Sequence, residues 1–356
     1  MTLYKRDKWH FLTTAVGHDQ YTIPIFEASA RNKCVPLFKT MMSTRCQNDC
    51  QFCTFRAERN TIREKWEPEE LAKVTIAALQ QKKIQGLFLS SSVDRDPDAV
   101  VQQELEAVKI LRNKGFTSYI HLRLMPGTDR ELIKQSVELA DRVGINIEFP
   151  STAHYNDMKL FLDFRQDLIR RLRWLSHDIL KVQKQGKCKA GLDSQMVVGA
   201  SDENDREILQ VSDWFYHRLN ARRVYYSSFE PIKGTPLEKK QAENRWREYR
   251  LYQCSFLLQQ FGFHAKDFVL DNDRLPLSQD PKLLFAKKLE LEVDVNNAKY
   301  EELIKVPGIG LKTARKILEK RPIKNFGELK KCGVLNRAVP FLHMNKEVQR
   351  KITFWK

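Results

Sequence analysis

Short apolar, β-prone runs recur along the chain at 35–41, 86–90, 118–124, 145–149, 195–200 and 223–229. Each precedes a helical pattern. After the second run Val101, Leu105, Val108 and Leu111 keep one stripe, and after the fifth Ile208, Val211, Phe215 and Leu219 do the same. Pro68, followed by Glu69 and Glu70, suits a first helical turn, and Asp202 suits a helix cap. Strand and helix alternating in this way predict parallel strands with right-handed crossovers, in an open doubly wound sheet or a barrel. Periodicity does not separate the two. In a barrel, reactive residues gather at the C-terminal strand ends, here 46–53, 90–92, 123–127, 148–152, 199–202 and 227–235.

Beyond the alternating part, 271–292 carries Pro276, Asp280 and Pro281 and reads as a linker with one short helix. The remainder of the chain reads as all helical. The expected organisation is an N-terminal extension at 1–33, a barrel domain at 34–270, the linker, and a C-terminal domain at 293–356. The 356 residues, 42% hydrophobic, suffice for a sizeable core and two domains. No apolar run reaches the length of a membrane span and the start lacks a signal-like stretch, so a cytoplasmic protein without membrane contact is expected. The formal net charge is +16, and 293–356 holds 15 Lys and Arg against 6 Asp and Glu. Such a concentration favours a polyanionic partner.

Seven cysteines, at 34, 46, 50, 53, 188, 254 and 332, make a poor disulfide framework. Three of them form Cys46-Gln-Asn-Asp-Cys50-Gln-Phe-Cys53, directly after the first apolar run. A loop this short can wrap three thiolates around one cubane cluster and leave the fourth iron open. A structural zinc site is the alternative, completed by Cys34, Cys188 or a histidine.

A second motif spans 296–317 and contains Val306-Pro307-Gly308-Ile309-Gly310. Asn297 can cap its first helix, with Glu301 and Glu302 near the positive end. Gly308 and Gly310 remove side chains at a tight turn, with Ile309 buried between them, and Gly310 is expected to need positive φ. Backbone N–H groups at the next helix start can face a phosphate, with Lys312, Arg315 and Lys316 supplying charge. Residues 326–335 read as a degenerate second copy with its turn at Cys332-Gly333.

The cysteine motif resembles the signature of the radical S-adenosylmethionine (SAM) superfamily, with Phe52 as the aromatic residue before the last cysteine. The 296–317 motif resembles the helix-hairpin-helix of DNA repair and recombination proteins. Together with Gly86-Leu-Phe-Leu-Ser-Ser91, Tyr119-Ile-His-Leu-Arg123, Pro126-Gly127, Asn146-Ile-Glu148 and Arg223-Val-Tyr-Tyr-Ser227, they resemble one family from about residue 34 to 339. Its members are radical SAM proteins with a C-terminal helix-hairpin-helix, assigned to DNA modification or repair.

The resemblance implies an α/β fold, a partial (β/α)6 TIM-like barrel of the radical SAM type followed by a small all-α helix-hairpin-helix domain. It implies a [4Fe-4S] cluster on Cys46, Cys50 and Cys53 and SAM held by Phe52, Ser90, Ser91, Ser92, Glu148 and Gly199, the glycine admitting a flat adenine. Reductive cleavage of SAM then gives a 5'-deoxyadenosyl radical that modifies or repairs DNA, with flavodoxin or ferredoxin as electron donor. DNA is gripped by its backbone, independent of sequence, at Gly308, Gly310, Lys312, Thr313 and Lys316.

An RNA-modifying enzyme, or a non-catalytic DNA-binding protein with a structural metal site, is the alternative. Tyr225, Tyr226, Cys188 and Cys254 are candidate hydrogen donors. No further Cys pair suggests an auxiliary cluster, which disfavours sulfur insertion. The sequence departs from the family in a shorter stretch before Cys34 and in Ser92, where glycine is typical.

Overall fold

The computed structural model describes residues 25–30, 33–160 and 162–344. Its strands are β1 (Ile25–Ala30), β2 (Lys33–Met41), β3 (Gly86–Ser90), β4 (Tyr119–Leu124), β5 (Arg142–Ile145), β6 (Gly191–Val198) and β7 (Arg223–Ser228), in one sheet in chain order. β2 to β7 run parallel. A doubly wound sheet reverses its strand order at a switch point, and this one does not. Right-handed crossovers without reversal place every connecting helix on one side, so the sheet curls around its other face. The result is an open, partial parallel barrel; β7 pairs only with β6 among the described residues.

Two boundaries differ from the sequence reading for physical reasons. β5 ends at Ile145, because the N–H groups of Ile147 and Glu148 both donate to the carbonyl of Gln195, at 3.1 and 3.0 Å, and Glu148 has φ of 59°. The predicted run at 145–149 is therefore a break in the ladder, with one bridge from Glu148 to Met196. β6 begins at Gly191, ahead of the apolar run at 195–200, and takes the charged Asp193 inside the strand. The predicted N-terminal extension also contributes to the sheet, since β1 pairs antiparallel with β2.

The outer layer comprises α1 (Pro68–Gln80), α2 (Pro97–Asn113), α3 (Arg130–Leu139), α4 (Thr152–Asp157) and a π-helical turn at Phe164–Ile169 running into α5 (Arg170–Gln183); α6 (Asp205–His217) follows β6 in the chain. Pro68 opens α1, with Glu69 and Glu70 in its first turn. Asp202 does not cap α6. Asn204 and Glu207 do so reciprocally, each side chain accepting from the other's N–H at 3.0 Å.

The described residues divide into two compact units, one running to Glu203 and including Phe215–Glu243, the other comprising Asn204–Trp214 and the chain from Asn244. The second contains α7 (Arg245–Gln260), α8 (Pro281–Lys288, capped by Asp280), α9 (Tyr300–Leu303), α10 (Leu311–Lys320) and α11 (Phe326–Lys331). It is helical apart from a two-residue parallel pairing of β8 (Val293–Asp294) with β9 (Leu342–His343). Among the described residues no helix is long and apolar enough to cross a membrane.

One buried group works against the first unit's stability. Glu104 on α2 is fully buried among Val100, Val101, Leu105 and Val108, neither carboxylate oxygen has a partner, and burial holds its carboxyl well above the usual range. A raised folded pKa on an acid removes stability as pH rises above the unfolded value, near 4.5. Glu104→Leu is therefore expected to stabilise the protein by about 1–3 kcal/mol, and by more at pH 8 than at pH 5, measured by thermal unfolding.

Candidate active site on the barrel rim

The cysteine loop leaves β2 at its C-terminal end, where the carbonyls of parallel strands point outward and each chain must turn. It is tied to the next strand end by serines. Met42 N–H donates to the Ser90 carbonyl at 2.7 Å, Ser43 N–H to Ser91 Oγ at 3.1 Å, and Ser92 N–H to the Ser43 carbonyl at 3.0 Å. Ser92 Oγ lies 2.9 and 2.7 Å from the carbonyls of Ser43 and Arg45. The Ser91 and Ser92 hydroxyls thus fasten the loop. On its far side Arg63 donates to the carbonyls of Thr44, Phe55, Arg56 and Arg59, and Asp49 pairs with Arg56 under cover. These cross-links fix a segment that lacks regular structure.

Apolar contacts set where the cysteines sit. Cys46 packs against Val93, Val100 and Met125. Phe52 packs on Phe149, Met158, Val197, Ala200 and Phe229, edge-on to Phe149 at 5.4 Å. The loop thereby spans strand ends from β3 to β7. Burial raises all three thiols, Cys53 to about 12, and the charges of neighbouring cysteines and of Glu148 raise Cys50 and Cys53 further. Three buried thiols that share a loop and feel the charge of Glu148 stay neutral unless a cation offsets their charge, so this donor set suits a thiophilic metal centre.

Glu148 is half-buried, and enclosure raises its carboxyl although Asn146 Nδ2 donates to Oε1 at 2.9 Å. A positive φ on a non-glycine residue at a strand end is strain of the kind that collects at functional sites. Gly199 has φ of +90°, but a Cβ there would meet Glu243 at 2.5 to 2.8 Å. Its N–H donates to Glu203 Oε1 at 2.6 Å. The close approach that Gly199 permits is made by the chain's own Glu243.

The hydrogen-donor candidates separate. Cys188 precedes β6, the far end of a strand whose eight residues span roughly 25 Å, and is thus removed from the rim. Tyr225 lies mid-strand, with its hydroxyl 3.2 Å from Arg142 Nη1. Tyr226 is buried on the opposite strand face, and Cys254 belongs to α7 in the second unit.

The motifs contain His121, Arg123 and Asn146 without giving them a role, and do not contain Asp193, which joins them in one buried network. Arg123 donates to Asp193 Oδ2 at 2.9 Å and to Asn146 Oδ1, and His121 Nε2 lies 2.9 Å from the same Asp193 oxygen. Burial would raise the Asp193 carboxyl, but Arg123, His121 and Arg142 outweigh it and hold it below the usual range. Burial lowers His121 to about 4 despite Asp193. Phe88 packs edge-on to His121 at 4.4 Å, and the Lys39 ammonium lies 5.5 Å from the same ring. The available signal was the alternation Tyr119, His121, Arg123 against Ile120, Leu122, Leu124 in a strand buried on both faces.

In the second unit, the predicted hairpin is a turn between α9 and α10. Leu303, Val306, Ile309, Ala314 and Ile317 are buried, as the pattern required, and Lys312, Arg315 and Lys316 are exposed. Gly308 has φ of +87°, whereas Gly310 has φ of −98° as the cap of α10. The left-handed glycine is Gly308; a Cβ on Gly310 would meet nothing within 4 Å, which leaves the start of α10 open to approach. Asn297 does not cap α9, which starts after Lys299, but donates to Asp294 Oδ2 at 2.7 Å. Gly333, in the degenerate second copy, also has positive φ.

Residues 290–339 match the helix-hairpin-helix motif family. No curated protein matches the chain. Solved structures similar to it include methylornithine synthase (PylB), at 18% identity and a TM-score of 0.49, covering 63% of this chain and 62% of that one. The [FeFe]-hydrogenase maturase HydG from Carboxydothermus hydrogenoformans is similar at 12% identity and 0.48, covering 63% and 51%. The cobalamin-dependent SAM radical enzyme OxsB is similar at 12% and 0.39, covering 83% and 44%. The chain thus spans less than two thirds of each.

The interior network has a pH signature. His121 is neutral when folded but takes up a proton when unfolded below pH 6.5, so its contribution is complete above 6.5 and is lost as pH falls towards 4. The loss amounts to about 3 kcal/mol. His121→Gln is expected to flatten the fall in stability between pH 6.5 and 4, measured by urea unfolding across that range.

Proposed function

We propose that the chain is a radical SAM enzyme acting on nucleic acid, with DNA as substrate. The observation that carries this reading is the Cys-x3-Cys-x2-Cys loop fastened across the C-terminal rim of an open parallel barrel, with Glu148 beside its thiols. Cys46, Cys50 and Cys53 would hold a [4Fe-4S] cluster, with SAM bound at the same rim. With a flavodoxin- or ferredoxin-type electron donor, this pair would supply radical chemistry for hydrogen abstraction.

The chain's own residues bind, orient and shield. Glu148 accepts from ribose hydroxyls, its carboxylate already aimed by Asn146. Phe52 and Phe149 wall the loop against water, which protects reactive species from side reactions. Asn146, held by the buried Arg123, offers a fixed polar group beside Glu148, where a polar group of the bound ligand can be oriented. The helical unit holds the polyanion, with N–H groups at the start of α10 facing a phosphate and Lys312 and Lys316 one turn apart beside it.

Anaerobic reconstitution followed by an assay for reductive SAM cleavage tests the enzyme class. Cys46→Ala, Cys50→Ala and Cys53→Ala are each expected to abolish cluster absorption and 5'-deoxyadenosine formation. Alanine at Cys34, Cys188, Cys254 or Cys332 is expected to leave one intact cluster. A wild-type protein that holds a cluster or zinc without cleaving SAM would place the chain among non-catalytic binders.

The hairpin is tested by salt. Lys312→Ala is expected to weaken binding to every DNA sequence alike and to flatten the slope of log K against log salt by about one, measured by fluorescence anisotropy on duplexes of unrelated sequence.

A further inference from the structure

α7 is apolar on two faces. Leu251, Cys254, Leu257 and Leu258 are buried on one, as the core requires. On the other, Trp246 is 57% exposed, Tyr249 51% and Phe256 45%. With Gln253 between them these residues fall three or four apart, which puts them on one stripe about 15 Å long. Large aromatic side chains left in water along a single helix face mark a contact surface.

That stripe runs into a groove. Phe256 lines a cavity of ≈ 460 Å³ together with Phe261, Leu335, Lys282, Gly308 and Gly310, so one wall is aromatic and another is the hairpin turn. Lys282 fixes the two together, since its ammonium donates to the Ile309 carbonyl at 2.8 Å and lies 4.5 Å from the Phe261 ring. A basic side chain lies beside three of the rings, Lys282 at Phe261 and Arg250 at the other two, and burial lowers Lys282 to about 7. The Arg250 guanidinium is 5.7 and 5.8 Å from the Trp246 and Tyr249 rings, which lie edge-on to each other at 5.4 Å. Arg337 lines the same groove.

We propose that the aromatic face of α7 and the groove beside the hairpin form a stacking track for the unpaired bases of a single-stranded nucleic acid. The inference rests on the nucleic-acid reading above and deepens it by naming the substrate's state. A nucleotide is flat and apolar at its base and anionic at its phosphate. A ring-lined wall adjoining the open start of α10 in a strongly basic segment matches both ends. Stacking on side chains suits any base and needs it unpaired, whereas phosphate contacts act on duplex and single strand alike. A protein partner fits less well, because the Arg250 guanidinium lies beside two of the rings and the excess of 15 basic over 6 acidic residues at 293–356 favours a polyanion.

The test compares binding of the full chain to labelled oligothymidylate, to a duplex, and to an abasic strand of the same length. Trp246→Ala with Tyr249→Ala, and separately Phe256→Ala, are expected to weaken oligothymidylate binding at least about fivefold. Duplex and abasic-strand affinity should be unchanged. Trp246→Phe should keep the oligothymidylate affinity while losing part of the tryptophan quenching seen on binding. Lys312→Ala with Lys316→Ala should weaken all three probes. Exposed positions are substituted throughout, and circular dichroism checks the fold.

Equal oligothymidylate affinity in the aromatic variants and the wild type, with loss in the lysine variant, would sink the track and leave the hairpin reading standing. A wild-type chain that binds none of the probes would overturn both. A change in particle mass by light scattering on removing the aromatic residues, with affinity for oligothymidylate unaltered, would overturn the track and assign the face to contact between copies.

Discussion

A carboxylate with no access to water, Asp193, governs the interior of the barrel. Removing it from solvent is costly, and the sheet compensates with Arg123 and His121 from β4 and Arg142 from β5. Its volume is accommodated by Gly144, where any Cβ would collide with the Asp193 side chain. Once Arg123 is committed to Asp193 it also fixes Asn146, and Asn146 in turn directs Glu148. A chain of hydrogen bonds therefore runs from the middle of the sheet to Glu148, whose charge acts on Cys50 and Cys53. The position of this carboxylate is set by a charge buried in the adjacent strand.

Such a network is a poor choice for stability alone, since matched apolar side chains in the same space would often hold the sheet as well or better. Arg123 Nε and Asp193 Oδ1 have no hydrogen-bond partner among the described residues, so even the compensation is incomplete. The interior keeps its polarity at a thermodynamic cost, whereas the buried Glu104 on α2 shows a similar cost without a network around it. The difference lies in direction. The interior set leads to Glu148 at the rim, and neither Glu104 oxygen has a hydrogen-bond partner.

The strand alternation, the cysteine loop and the hairpin were legible because each is local: a period, a spacing, a turn. β3, at 86–90, falls where the apolar run put it. The interior network was not legible, since Asp193 is 70 residues from Arg123 and a charge inside an apolar run reads as a boundary. That is why the start of β6 was placed late. Glu148 was recognised as a candidate, but its positive φ and the shortened β5 arise from two N–H groups sharing the Gln195 carbonyl, a tertiary effect. Ser91 and Ser92 were visible as small polar residues at a strand end, and only their partners reveal them as fasteners of the loop. Gly199 was read as admitting a ligand, and the side chain it admits is Glu243.

The hairpin shows how a motif can be recognised while the positive φ expected at Gly310 falls instead on Gly308. Both glycines are required by the pattern, but for different reasons. Gly308 turns the chain with φ of +87° in a place where a side chain would meet Arg337 at 2.9 Å. Gly310 has an ordinary extended backbone and open space in front of it. A substitution at Gly308 acts through the fold of the turn, whereas one at Gly310 leaves the turn intact and fills the space before the first N–H groups of α10. Those N–H groups lack helical partners by geometry, so what the second glycine preserves is access. The open approach, the exposed lysines on the next turn and the rings across the groove belong to one small region of the helical unit, and a ligand there meets a dipole, charge and an apolar wall together.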